Sequence, residues 1–331
     1  MQVRQVVITG TREARVEPFE LDADDLQPGE VVIRTLVTLI SPGTEGASFL
    51  GLKAPGRAED PTYPARPGYA AVGEVLATGG ATGVSVGEVV FTTSPHAAAA
   101  RLDTRSQLCI PLPDGLPPDD AVFARMATVP MSTLATTSAH TGDLAAVVGL
   151  GLVGNLAAQL CEIAGMPATG LDLLAGRCEL ARACGVGIVL EAPDMEDLIS
   201  EHALVLECTG TAQGALAALR LAADGGEVSL VGSPWGRGNA DIPAHPLLER
   251  VFAGYLHVRS GWEWQLPTFD TPHAPGSHEQ NSRRALDLIA QRRLRVRPLL
   301  THILSPDEAQ QAYTGIVDNK AEYLGVVFDW R

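Results

Sequence analysis

The sequence predicts an α/β chain in which a doubly wound parallel sheet sits inside a discontinuous β-rich domain. Three observations carry this prediction. Up to about residue 120 the chain shows short strand-like runs split by Pro- and Gly-rich turns. From Asp119 onward, strand and helix signals alternate, as right-handed βαβ units require. After Gly261 the alternation stops, and the simplest arrangement returns the tail to the first domain.

In the first domain, residues 6–8, 30–40, 71–77 and 88–92 read as strands, separated by QPGE, SPGTEG, RPGY and PLPDGLPPDD. A helical stretch over 119–138 opens the second. The apolar run 145–148 leads through a Gly-rich turn into a helix over 152–164. A strand at 168–171 and a helix at 175–184 follow, then strands at 187–190, 204–207 and 227–231, with 255–260 as a sixth. Residues 262–282 are polar, aromatic and Pro-rich without periodicity, and read as a long loop. A helix over 283–291, a strand at 299–303, a helix over 306–316 and a closing strand at 324–328 complete the series. The expected domains are therefore 1–118 with 261–331, and 119–260.

The 331 residues suit two cores rather than one. Hydrophobic residues at 46% and charged residues at 19% indicate a globular chain. With 39 acidic against 24 basic residues, the net charge is −15. Such a surface repels phosphate backbones and anionic lipid, so neither nucleic acid nor membrane is an expected partner. The most apolar stretch, 144–154, is too short for a bilayer, and MQVRQVVITG lacks the pattern of a secretory signal. The expected location is cytoplasmic. The five cysteines form no CxxC pair and read as small buried residues in a reducing compartment.

Gly149-Leu150-Gly151-Leu152-Val153-Gly154 is a GxGxxG run that follows an apolar strand and opens a helix. Asp172 ends the next strand, 18 residues past Gly154. This is the context of a Rossmann dinucleotide site. Gly149 permits the tight turn, Gly151 the approach of a pyrophosphate, and Gly154 close helix–sheet packing. The N–H groups and positive dipole end at Leu152 and Val153 suit phosphate. Asp172 would bond both ribose hydroxyls of NAD and repel a 2′-phosphate, so NAD is the expected cofactor. Arg177 is the complication, because a nearby arginine can accommodate NADP. Thr209 and Gly210, after the strand LVLE, and Gly232 and Ser233, after VSLV, belong to loops at the same sheet edge. Those loops are candidates for the ribose–nicotinamide half.

The order of these segments resembles the medium-chain dehydrogenase/reductase superfamily over nearly the whole chain. That resemblance implies a GroES-like barrel for the β-rich domain, and a homodimer or homotetramer. In the superfamily's zinc enzymes, a Cys-Gly-Thr/Ser-Asp stretch and a Gly-His-Glu stretch supply metal ligands. Here those segments are Pro42-Gly43-Thr44-Glu45 and Gly68-Tyr69-Ala70. Pro42, Tyr69 and Ala70 replace the ligands, and the four-cysteine lobe is absent, so no metal is expected. ISPGTE, RPGYAAVGEV, GLGLVG and EYLGVVFDW are similar to the zinc-lacking branch that includes bacteriochlorophyllide dehydrogenases. His273 and His278 share the long loop with Asp270 and Glu279, and read as solvated side chains.

Without a metal, hydrogen-bond donors must polarise a carbonyl. Thr44 stands where the resemblance places a proton-relay hydroxyl. Tyr69 stands in place of the ligand histidine, and its phenol suits a general acid if a nearby charge or dipole lowers its pKa. Glu45 would orient a hydroxyl or pair with an arginine. His96, after Ser94-Pro95, is placed to line the cleft, and Trp262 and Trp264 to form a lid. The expected reaction interconverts a secondary alcohol and a ketone on a polar or polycyclic specialised metabolite, a small-molecule substrate. The alternatives are reduction of an activated C=C bond with NAD(P)H, and a non-catalytic NAD-binding sensor.

Overall fold

The computed structural model describes residues 1–56, 59, 61–191, 199–235 and 243–331. Six strands form an all-parallel sheet in the order Ile188–Glu191, Ala168–Asp172, Ala145–Val148, His202–Glu207, Ala222–Leu230, His257–Ser260. Ala145–Val148 is central and buried along its length, as both faces of a parallel sheet require. The strand order reverses between Ala145–Val148 and His202–Glu207. Loops leaving the carboxyl ends of those two strands therefore face a common crevice.

The second sheet runs Leu300–Leu304, Gly325–Asp329, Glu30–Leu39, Ala71–Thr78, Val89–Thr92, Cys109–Pro111, and Ala99–Asp103 also pairs with Glu30–Leu39. Gln2–Gly10 and Glu13–Glu20 form a separate antiparallel hairpin. The last strand joins near the start of the chain, with Val327 opposite Leu39. One buried cluster joins strands of the second sheet to helices, including the Gly-rich helix of the parallel sheet: Val37, Val72 and Phe91 pack with Met126, Leu152, Leu156 and Leu286. No helix among the described residues is long and apolar enough to cross a membrane.

Several boundaries differ from the sequence pattern, each for a local reason. SPGTEG reads as punctuation but begins the helix Pro42–Phe49, because proline in a first turn costs no hydrogen bond. The stretch 119–138 divides into Pro118–Ala121 and Ala124–Leu134. Its end comes early, where the Thr136 hydroxyl donates to the carbonyls of Ser132 and Thr133 at 3.1 Å and so competes with the next turn. The long loop is shorter than expected. Glu263–Gln265 forms a 3-10 turn, and the following helix starts at His278 rather than at 283. Ser277 caps it by accepting the Gln280 N–H at 3.0 Å. Pro306–Glu308 is likewise a 3-10 turn before the helix Ala309–Asp318, entered through a capping box of Ser305 and Glu308.

Ser277 is fully buried, so water does not take over the cap when its hydroxyl is removed. Ser277→Ala is expected to cost about 1 kcal/mol, read as a lower urea midpoint at unchanged slope.

Candidate active site

Tyr69 follows Gly68, whose φ of +100° and close approach exclude other residues: a Cβ there would stand 2.4 Å from the His96 nitrogen. This packing directs Tyr69 toward the start of the helix Pro42–Phe49. Its hydroxyl donates to Ser41 Oγ at 2.6 Å and lies 3.4 Å from Thr44 Oγ1. Thr44 is exposed and Tyr69 half-buried. Tyr69 packs against the same large buried cluster as Val153 of the Gly-rich helix. Burial raises the Tyr69 pKa, against the opposing influence of the Arg125 cation and of the hydrogen bonding with Ser41 and Thr44. The expected lowering does not occur, because desolvation of a phenolate outweighs one cation here. A phenol so placed carries its proton at neutral pH and can donate it.

Glu45 and His96 do not take the places expected of them. Glu45 is 3% exposed. It accepts the Ser41 N–H at 2.8 Å and the Tyr313 hydroxyl at 2.6 Å, and its Oε2 lies 2.8 Å from His96 Nε2. His96 is fully buried and stacked edge-on to Phe328, so it does not line a cleft. Glu45 touches no exposed hydroxyl. It holds the backbone of Ser41, the residue that receives the Tyr69 bond.

At the other sheet, Gly149 adopts φ +90°, and a Cβ on Gly154 would stand 1.8 Å from the Gly149 carbonyl oxygen. The helix therefore meets the turn as closely as the GxGxxG reading demands. No side chain caps the helix Leu152–Ile163, which leaves the first-turn N–H groups free for phosphate. A Cβ on Gly151 would meet nothing nearer than Arg177 Nη1 at 3.8 Å, so the approach to the backbone is open. Asp172 ends its strand with Oδ2 accepting the Leu150 N–H at 2.8 Å and Oδ1 the Leu174 N–H at 2.9 Å. A carboxylate accepts about four hydrogen bonds, so capacity for ribose hydroxyls remains. Arg177 Nη1 lies 3.5 Å from Asp172 Oδ2, its Nη2 donates to the Lys320 carbonyl at 3.1 Å, and its Nε is buried without a partner. Gly210 packs on Gly232 and Ser233, and Gly149 on Thr209, which brings the three loops together. The Thr209 hydroxyl is engaged by the buried Glu207 carboxylate and by Thr211. These residues fit a dinucleotide.

Residues 153–262 match the family model "Zinc-binding dehydrogenase". The 2-desacetyl-2-hydroxyethyl bacteriochlorophyllide A dehydrogenase of Cereibacter sphaeroides is 25% identical, over 100% of this chain and 99% of its own. Over these spans the chain is similar to dehydrogenases of the medium-chain dehydrogenase/reductase type. The similar proteins are dehydrogenases, which supports an oxidoreductase of that type with a nicotinamide cofactor. Among solved structures, galactitol-1-phosphate dehydrogenase from Escherichia coli superposes with a TM-score of 0.80 at 19% identity, covering 98% of this chain and 99% of that one. A protein of Sinorhizobium meliloti 1021 solved with NADP bound superposes at 0.78 with 18% identity, covering 99% of each chain.

The superfamily name implies zinc, and the donors do not fit it. Pro42, Tyr69 and Ala70 stand where the resemblance would place the ligands, and zinc needs three or four N, S or O donors together. Among the described residues, no group of three or more His, Cys, Asp and Glu could hold a metal ion. His278 is buried rather than solvated in a loop, with Nδ1 3.8 Å from Glu263 Oε2. Trp262 and Trp264 are 59% and 60% exposed.

Sequence reasoning missed two of the groups nearest Tyr69. Ser41 was passed over as part of a turn, although it precedes the proline that starts the helix. Arg125 sits in a helix whose pattern reads as apolar, and its carbon ζ lies 4.6 Å from the Tyr69 ring centroid.

Proposed function

We propose that this dehydrogenase interconverts a secondary alcohol and a ketone of a specialised metabolite with NAD(H), and that turnover needs no zinc. The observation that carries the reading is the hydroxyl cluster of Tyr69, Ser41 and Thr44, in segments where the resemblance would put a metal site. A bound dihydronicotinamide supplies hydride. Tyr69 holds a proton within reach of Thr44, the exposed member, and donates it to the oxygen that becomes the alcohol. Ser41, held by Glu45, keeps the phenol aligned. The full-length relative is named for a hydroxyethyl bacteriochlorophyllide, which supports a secondary alcohol on a bulky metabolite. Asp172 supports NAD. Arg177 beside it is the observation favouring the second reading, an NADP(H)-linked reductase of activated C=C bonds. Self-association as a dimer or tetramer, and a cytoplasmic setting for the free cysteines, complete the proposal.

Tyr69→Phe and Thr44→Val keep volume and delete one hydroxyl each. Turnover is expected to fall on the order of 10²–10⁴ for the variant that loses the donor, with NADH affinity unchanged. Wild-type turnover in both single variants and the double variant would refute the hydroxyl mechanism. NADH binding without oxidation by any carbonyl offered would instead indicate a sensor.

Calorimetric titration is expected to show tighter binding of NAD than of NADP, and Asp172→Ala should narrow that gap. Tighter NADP binding by the unaltered protein would assign control of the ribose site to Arg177.

Elemental analysis of active protein should find no stoichiometric zinc. About one zinc per chain, lost together with activity, would overturn the metal-free reading.

A further inference from the structure

Arg125 is 3% exposed and Glu263 is 7% exposed. The guanidinium donates to both carboxylate oxygens, Nη1 to Oε2 at 2.7 Å and Nη2 to Oε1 at 2.9 Å. Nη1 also donates to Thr128 Oγ1 at 2.8 Å. This bidentate geometry fixes the plane of the cation as well as its place. One face lies over the Tyr69 ring, with 4.6 Å between carbon ζ and the centroid, and Trp264 stands 5.8 Å away on the same terms. Taking both charges out of water is expensive, and apolar replacements of such pairs often leave stability unchanged or improved. A buried pair set against a reactive side chain therefore calls for a role beyond holding two segments together.

We propose that the Glu263-anchored guanidinium of Arg125 sets the acidity of Tyr69, favouring the phenolate that forms as the phenol gives up its proton. The inference rests on Tyr69 being the donor. In the step itself the Tyr69 O–H bond breaks and a new O–H bond forms on the substrate oxygen. The negative charge left on the phenolate is met by Arg125. A proton from solvent, passed through the exposed Thr44 hydroxyl, restores the phenol. Arg125 touches neither substrate oxygen nor cofactor in this scheme; it acts through Tyr69.

The surroundings leave few other charges able to do this. Around Tyr69, the helix Ala124–Leu134 brings Arg125, the turn Glu263–Gln265 brings Glu263, and the segment at Ser41 and Thr44 brings two hydroxyls with the Glu45 carboxylate behind Ser41, itself paired with His96. Arg125 opposes the effect of burial on Tyr69, and Glu263 reinforces it. His278, with its ring 5.1 Å from Trp264, is the remaining titratable group of the cluster. Burial lowers its pKa, so it adds no second cation at neutral pH.

The test uses two variants with opposite expectations. Glu263→Gln leaves the cation without its carboxylate. The double variant Arg125→Gln with Glu263→Gln removes both charges and keeps hydrogen-bonding side chains of similar length. The Tyr69 part of the ultraviolet tyrosinate band is obtained by subtracting the same protein carrying Tyr69→Phe. Its onset should move to lower pH in Glu263→Gln and to higher pH in the double variant. The span between the two should be about 1 pH unit or more, the usual reach of a charge at this distance. Carbonyl reduction at neutral pH should fall in the double variant, and Arg125→Lys should restore part of it. An unmoved onset, or movement in the same direction in both variants, overturns the proposal, since a purely structural disturbance would not split in sign. Wild-type turnover in Tyr69→Phe would sink the donor assignment alone. The absorbance result would then decide the coupling between Arg125 and Tyr69 by itself.

Discussion

The carboxylate of Glu45 is the point on which the first domain's site depends. A carboxyl group removed from water must find hydrogen-bond donors within the protein. It finds them in three separate parts of the chain: the Ser41 backbone, His96 and Tyr313. Satisfying that one group fixes the start of the helix Pro42–Phe49 against the turn at His96 and against the helix Ala309–Asp318. Ser41 is thereby held where Tyr69 meets it, so the phenol is oriented by a residue it does not touch. The stack of Phe49 on Tyr313, with centroids 5.5 Å apart, supplies the apolar side of the same junction.

A second junction relies on close packing instead of charge. The turn at Gly149, the loop at Thr209 and Gly210 and the loop at Gly232 approach so closely that added side chains would collide with backbone. Interiors at that density transmit position faithfully. The nucleotide loops are thus set against one another before any ligand arrives, which lowers the ordering cost of binding. The shared buried cluster that holds Leu152 and Leu156 beside Val37 and Val72 then relates this crevice to the hydroxyls of the other sheet.

Charge enters the space between these junctions in one buried place, through Arg125 and Glu263. Their pairing ties the helix Ala124–Leu134 to the turn after the last parallel strand. The same helix lies along His278–Ala290, where Asn281 donates to Ser132 Oγ at 3.2 Å. A polar seam therefore runs from the Tyr69 ring into an otherwise apolar contact. At its end a fixed guanidinium stands over the Tyr69 ring.

Much of this was legible in the sequence, because the signals were local. Glycine spacing, an acidic residue ending a strand and the alternation of strands with helices all follow from backbone geometry within a few turns of chain. They put Gly149 in the tight turn, Gly154 at its close approach and Asp172 at the end of its strand, as the structure has them. Local pattern also misread segments whose signal was short, as where Ser277 starts a helix inside a presumed loop. The contacts that no local pattern encodes were decided by tertiary structure. Arg125 meets Glu263 across 138 residues, and Tyr313 meets Glu45 across 268. Such pairs leave no periodicity in the chain, since each partner is a single polar residue whose environment exists only after distant segments have packed around it.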